Sequence, residues 1–220
     1  MVALALLGAF VAGAQESEPS DSLVRLMKAS SVQVAKEGEV TFRKSFDATF
    51  LHNGTYLICD TAVWNDQTNI ISAVGNVKLI QGDAILTSRT LEYDVDASVA
   101  RFRGDLVQLK DKEDNTLRTN NLDYYTKDSL AKYVQGAAMK DHDGQIIESR
   151  TGTYDSKIKT FTFNDDVNMF TDSVFVRTSR LDYDSDNGKA IFPAYIDFWK
   201  DDNMLSANSG WYDRGVETFF

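Results

Sequence analysis

An aromatic ring returns at nearly even intervals along the chain, at Trp64, Tyr93, Tyr124, Tyr154, Tyr183 and Tyr212, with gaps of 29, 31, 30, 29 and 29 residues. A recurrence of this length marks one supersecondary unit used repeatedly, in which each unit buries its apolar face only against its neighbours. Function is therefore expected along a continuous surface, not in a single cleft.

Other positions keep the same register. The rings sit in Leu91-Glu92-Tyr93-Asp94, Leu122-Asp123-Tyr124, Gly152-Thr153-Tyr154-Asp155, Leu181-Asp182-Tyr183-Asp184 and Gly210-Trp211-Tyr212-Asp213. Five residues before each ring stands a small side chain, at Cys59, Ser88, Thr119, Ser149, Thr178 and Ala207. On an extended chain that odd offset places it on the face opposite the ring. After a polar turn come apolar pairs two apart, Ala100 and Phe102, Ala131 and Tyr133, Phe161 and Phe163, Ala190 and Phe192. Four residues on lie Val77, Leu106, Ala137, Val167 and Ile196, mostly followed at the next alternate position by Leu79, Met139, Met169 and Phe198.

Each unit thus reads as two extended segments with one apolar face, joined by turns rich in Asp, Asn and Gly such as Gln81-Gly82-Asp83, Asp141-His142-Asp143-Gly144 and Asp186-Asn187-Gly188. No helical i, i+3, i+4, i+7 pattern is sustained. Pro19 and Pro193 are the only prolines, which suits long ladders. The expectation is an all-β, elongated array of about six two-strand repeats, forming one domain over residues 23–220.

The net charge of −10 and the dispersed Lys and Arg disfavour nucleic acid, which needs clustered cations. Residues 1–14 carry no charge and end in Ala12-Gly13-Ala14 before the polar stretch 15–22. This reads as the apolar core and cleavage site of a secretory signal peptide, cut after Ala14, without its basic front, so the expectation is that either the start lies upstream or the signal is atypical. Residues 15–22 are expected to be a polar linker. The chain also stops partway through a unit, at Phe219-Phe220, which leads to the expectation of a further C-terminal portion.

Chemical constellations are sparse. Cys59 is the only cysteine and occupies the small-residue slot, so it reads as a small buried thiol. His52 and His142 both fall in expected turns. The run Asp182-Tyr183-Asp184-Ser185-Asp186-Asn187-Gly188 resembles the start of a calcium loop, but the glycine arrives one place late and Pro193 stands where a glutamate is required. A solvated turn is the better account. Asp165-Asp166 and Asp201-Asp202 are adjacent on extended chain and point to opposite faces. No catalytic set, cofactor or metal site emerges. Arg89 and Arg150, at equivalent repeat positions, are candidate contacts for an anionic headgroup, with plain surface solubility the competing account. The triplets Asp21-Ser22-Leu23, Asp60-Thr61-Ala62, Asp128-Ser129-Leu130 and Asp172-Ser173-Val174 resemble O-glycosylation acceptor sites of exported Bacteroidota proteins, with chance as the competitor.

The units combine Gly-Asn-Val-Lys-Leu at 75–79, Leu-Thr-Ser-Arg-Thr-Leu-Glu-Tyr-Asp at 86–94 and Ala-Arg-Phe-Arg-Gly at 100–104. This pattern resembles the OstA-like/LptA family of lipopolysaccharide-transport proteins. Asn53-Gly54-Thr55-Tyr56-Leu57-Ile58-Cys59-Asp60-Thr61-Ala62 is similar to a segment of the Bacteroidota-type OstA-like members, and Leu26-Met27-Lys28-Ala29-Ser30-Ser31 to their opening strand.

The resemblance implies a β-jellyroll or open, V-shaped twisted sandwich in the periplasm, non-enzymatic, holding lipopolysaccharide acyl chains between its layers. The lipid-groove candidates are then Val77, Leu79, Leu91, Tyr93, Phe102, Leu122, Tyr124, Tyr133, Tyr154, Phe163, Val167, Met169, Leu181, Tyr183, Phe192, Ile196 and Phe198. It further implies end-strand pairing with other jellyrolls of the transport system, on the inner-membrane extractor side and the outer-membrane translocon side, and head-to-tail self-assembly. A structural or adhesive β-repeat protein with a dry interior is the alternative. An unphased position is Leu106, where Val107 and Leu109 follow out of step unless a bulge intervenes.

Overall fold

The computed structural model describes residues 23–216 and 218–220. The proposed signal segment and linker lie outside them. Among the described residues nineteen strands, all antiparallel where they pair, form one continuous ladder, with a single 3-10 turn at Arg214–Val216. The central strands are long: β3 (Val40–His52), β4 (Thr55–Asn65), β5 (Ile70–Gln81), β6 (Ala84–Asp94), β7 (Val99–Lys110), β8 (Thr116–Tyr125), β13 (Thr160–Phe170) and β14 (Phe175–Asp184). Others split the same path in two, as β9 (Leu130–Tyr133) and β10 (Ala137–Lys140), β11 (Ile146–Ser149) and β12 (Thr151–Asp155), or β15 (Lys189–Phe192) and β16 (Ile196–Lys200).

Midway along the ladder the register slips, between Ile58 and Thr61, Val74 and Val77, Thr87 and Thr90, Arg103 and Val107, and Asn164 and Val167. These slips align into a seam crossing the molecule. Extra residues in a strand bend it and sharpen its twist, and the seam residues adopt the left-handed backbone that a sharp bend needs: Gly75 and Asn76 at φ 80° and 44°, Asp165 and Asp166 at 60° and 52°, Gly136 at 88°. Folding the ladder along this seam produces two facing layers. The proof of folding is Tyr124 Oη, which donates to Gln81 Oε1 at 2.8 Å. On a flat ladder those side chains would stand roughly 25–30 Å apart, at about 3.3 Å per residue.

The seam explains two departures from simple alternation. Leu106 lies within the slip and is 54% exposed, while Val107 and Leu109 face inward. Cys59, Thr119, Ser149 and Thr178, at the ring-minus-five position, share the interior with the rings, against the opposite-face expectation, because the alternation changes phase across the slip, and Ser88 and Ala207 are half-buried beside it. They line the inside of the bend, where bulk would clash. Their hydroxyls also satisfy carbonyls that the slip frees: Ser88 donates to Thr90 O at 2.8 Å, Thr119 to Gly136 O at 2.7 Å and Thr178 to Tyr195 O at 3.0 Å.

Candidate functional site

Between the layers lies one apolar interior. The layer that carries the repeated rings contributes Leu91 and Tyr93, Phe102, Leu122 and Tyr124, Tyr133, Tyr154, Phe163, Leu181 and Tyr183, and Phe192. The other contributes Val77 and Leu79, Val167 and Met169, and Ile196. All of these belong to a single cluster, with Phe198 half-buried against it. Every residue singled out from the sequence as a groove candidate therefore faces the same interior. From Val77 to Phe192 none of them is more than 3% exposed, so among the described residues the centre is filled by the protein's own side chains. Two cavities lie at the ends of this interior. One of about 620 Å³ is bounded by Asp143, Gln145, Asp172, Val174, Lys200, Tyr212 and Phe219, and one of about 360 Å³ by Leu23, His52, Trp64, Val95 and Lys127.

Opposite the seam, hairpin turns of one layer meet turns of the other along two lips, and the tyrosines span the junction. The rings are buried, while the hydroxyls of Tyr93, Tyr124, Tyr183 and Tyr212 reach polar residues of the opposite lip, as suits an amphipathic side chain. Tyr93 Oη lies 2.5 Å from His52 Nδ1 and 3.3 Å from Thr126 Oγ1. Tyr124 bonds Gln81, whose Nε2 donates to Thr126 O at 2.8 Å. Tyr183 Oη donates to Asp141 Oδ2 at 3.3 Å, and Gln145 Nε2 donates to Tyr212 Oη at 3.1 Å. Lys159 and Asp83 close the row with a 2.7 Å ion pair, and Asn53 Nδ2 donates to Ser98 Oγ at 3.1 Å.

The partners of Tyr93, Tyr124 and Tyr183 precede them by 41, 43 and 42 residues. The same step from Tyr154 leads to Asp111, whose carboxylate is taken up by its own turn, accepting from the Glu113 and Asn115 amides and from Asn115 Nδ2. Tyr154 Oη is buried without a partner. Burial first, and the Asp111 carboxylate next, push its pKa well up. Burial likewise raises Tyr93, Tyr124 and Tyr133. The Lys159 ammonium holds the Asp83 carboxyl below its usual range.

Arg89 and Arg150 stand on the seam, the edge remote from the lips, and Arg150 is paired with Asp166 at 2.6 Å. Five strand residues, roughly 15 Å, separate them from the lips. Cys59 is buried at the inside of the bend, its pKa pushed up to about 11 by burial and by Asp60. Asp184 accepts from the amides of Asp186 and Asn187, an ordinary turn cap. Sequence reasoning missed the lip residues His52, Gln81, Asp83, Asp141 and Lys159. The signal was a step of 41 to 43 residues from Tyr93, Tyr124 and Tyr183 back to a polar turn, visible only when rings are compared across units.

The sequence profile of OstA-like proteins matches residues 21–179, most of the chain. The chain belongs to the OstA-like protein family. Proteins of this family are transport components and not enzymes. No curated protein matches the chain. Among the matching solved structures is LptH from Pseudomonas aeruginosa, described as the LptA homologous periplasmic component of the conserved lipopolysaccharide transport device. It is 16% identical, with 53% of this chain and 94% of that one covered, at a TM-score of 0.47.

Proposed function

We propose that this OstA-like protein is an exported, periplasmic lipopolysaccharide-binding conduit or chaperone that carries acyl chains between its two β-layers toward the outer membrane. Family membership supports the transport role. The observation that carries the cargo assignment is the interior itself, a single apolar cluster of near-equivalent rows extending from Ile71 to Phe192, with the buried hydroxyls of Thr119, Ser149 and Thr178 along its seam edge. Each methylene placed there is worth about 0.8 kcal/mol, and equivalent rows let a chain shift without falling into one deep trap. The unpaired outer edges of β1 (Arg25–Lys28), β2 (Ser31–Glu37) and β17 (Asn203–Ala207) support end-to-end pairing with other jellyrolls of the transport system or with further copies of this chain. A headgroup emerging at the lips is beyond the reach of Arg89 and Arg150, whereas Lys159 and Lys127 lie there.

The filled centre favours one competing reading, a structural or adhesive β-repeat protein whose interior stays dry. Photo-reactive residues at Tyr133 and Phe163, followed by purification from the native envelope, separate the two. Lipopolysaccharide adducts are the expected result, and labelling confined to neighbouring protein would favour the structural reading.

A further inference from the structure

We infer that the tyrosine row is a latch that holds the two lips shut, and that cargo passes into the interior sideways by parting them; this rests on the lipid-carrier reading above. The seam is continuous covalent backbone on every long strand, so it cannot separate. At the lips the layers are joined only by side chains and turns. Their polar junctions include Tyr93 to His52, Tyr124 to Gln81, Tyr183 to Asp141 and Lys159 to Asp83, with Gln145 to Tyr212, Gln81 to Thr126 and Asn53 to Ser98 beside them.

Three features mark these junctions as a device and not as incidental surface bonds. The three tyrosine junctions recur at a step of 41 to 43 residues. They place the only polar atom of each large interior ring on the line along which the layers would part. The partners differ from unit to unit, an imidazole, an amide and a carboxylate, while the tyrosine is retained, so the geometry is held by the ring and not by one partner chemistry. Parting the lips exposes hydroxyls and acceptors that water satisfies, and the apolar rows thereby bared are what an acyl chain covers. In the middle of the row Tyr154 has no partner, and the lips there are held by the flanking junctions and by packing. Opening begins at that point.

Two alterations of the full chain test this. Tyr93→Phe, Tyr124→Phe and Tyr183→Phe together keep the buried rings and remove three junctions. Asp83→Cys with Lys159→Cys, in a Cys59→Ser background, allows a short bis-maleimide to clamp the lips. The Tyr→Phe variant is expected to raise amide hydrogen exchange about tenfold in segments 81–84 and 126–129, the loss expected for about one hydrogen bond, with the seam segment 74–77 unchanged. It should also speed uptake of fluorescein-labelled lipopolysaccharide, while the clamp abolishes uptake and the same cysteines without reagent do not. Unchanged exchange at the lips would overturn the latch whatever the cargo. Equal uptake by clamped and unclamped protein would overturn sideways passage and point to the ends. No uptake by any form, with lip exchange raised, would sink the lipid-carrier reading, and sideways passage with it, while the latch would stand.

Discussion

Gly152 stands where other units have Leu91, Leu122 and Leu181, and opposite it on β9 stands Tyr133 where the units before and after have Phe102 and Phe163. The two exchanges answer one another. Tyr133 carries an additional hydroxyl that reaches Ser149 Oγ at 2.5 Å, and a Cβ on residue 152 would collide with that phenol and with the Thr162 carbonyl. Gly152→Ala is therefore expected to cost about 1–3 kcal/mol, the range for overpacking a closed core. Tyr133→Phe in the same chain should recover part of it. Urea midpoints of the two single variants and the double variant check this, and simple additivity would count against a shared cause. The sequence showed Gly152 only as a variant of the Leu-x-Tyr pattern; its reason lies on a strand about twenty residues earlier.

At the level of the strand, alternation and turn residues place the long β-segments, because apolar side chains two apart must share a face whenever the chain is extended. What alternation alone misplaced was the phase across the seam, at Leu106 and at the small residues, since the irregular pairing at each slip changes the alternation and returns both halves to the interior. Gly75 shows what the bend demands: φ is +80°, and a Cβ would meet the Asp60 side chain, whose carboxylate accepts from Asn76 Nδ2 at 2.9 Å. Gly75→Ala should destabilise by about 1–3 kcal/mol, through strain and displacement of Asp60. Gly38, also at positive φ but with open space around it, provides the reference. If Gly38→Ala costs as much by thermal denaturation, backbone strain accounts for both and the Asp60 contact contributes nothing.

For the molecule as a whole, the repeated buried tyrosines couple stability to alkali. Burial raises the folded pKa of Tyr93, Tyr124, Tyr133 and Tyr154 above the unfolded value of 10.0. The unfolded chain therefore loses these protons first. Their contribution is complete below about pH 10 and declines as pH rises from there toward the folded values, by up to about 1.4 kcal/mol per pH unit for each tyrosine. Urea unfolding from pH 8 to 11 should show a midpoint flat below pH 10 and falling steeply above it, and an unchanged midpoint at pH 11 would contradict the buried-ring account. The sequence by itself determined the repeat, the strands, the turns and which side chains are apolar partners, because period, propensity and turn chemistry are local and recur in every unit. It could not determine whether the interior would be vacant or filled, nor which polar residues join the lips. Both depend on how two layers fold together across the seam, which brings residues some forty positions apart into contact that no local spacing encodes.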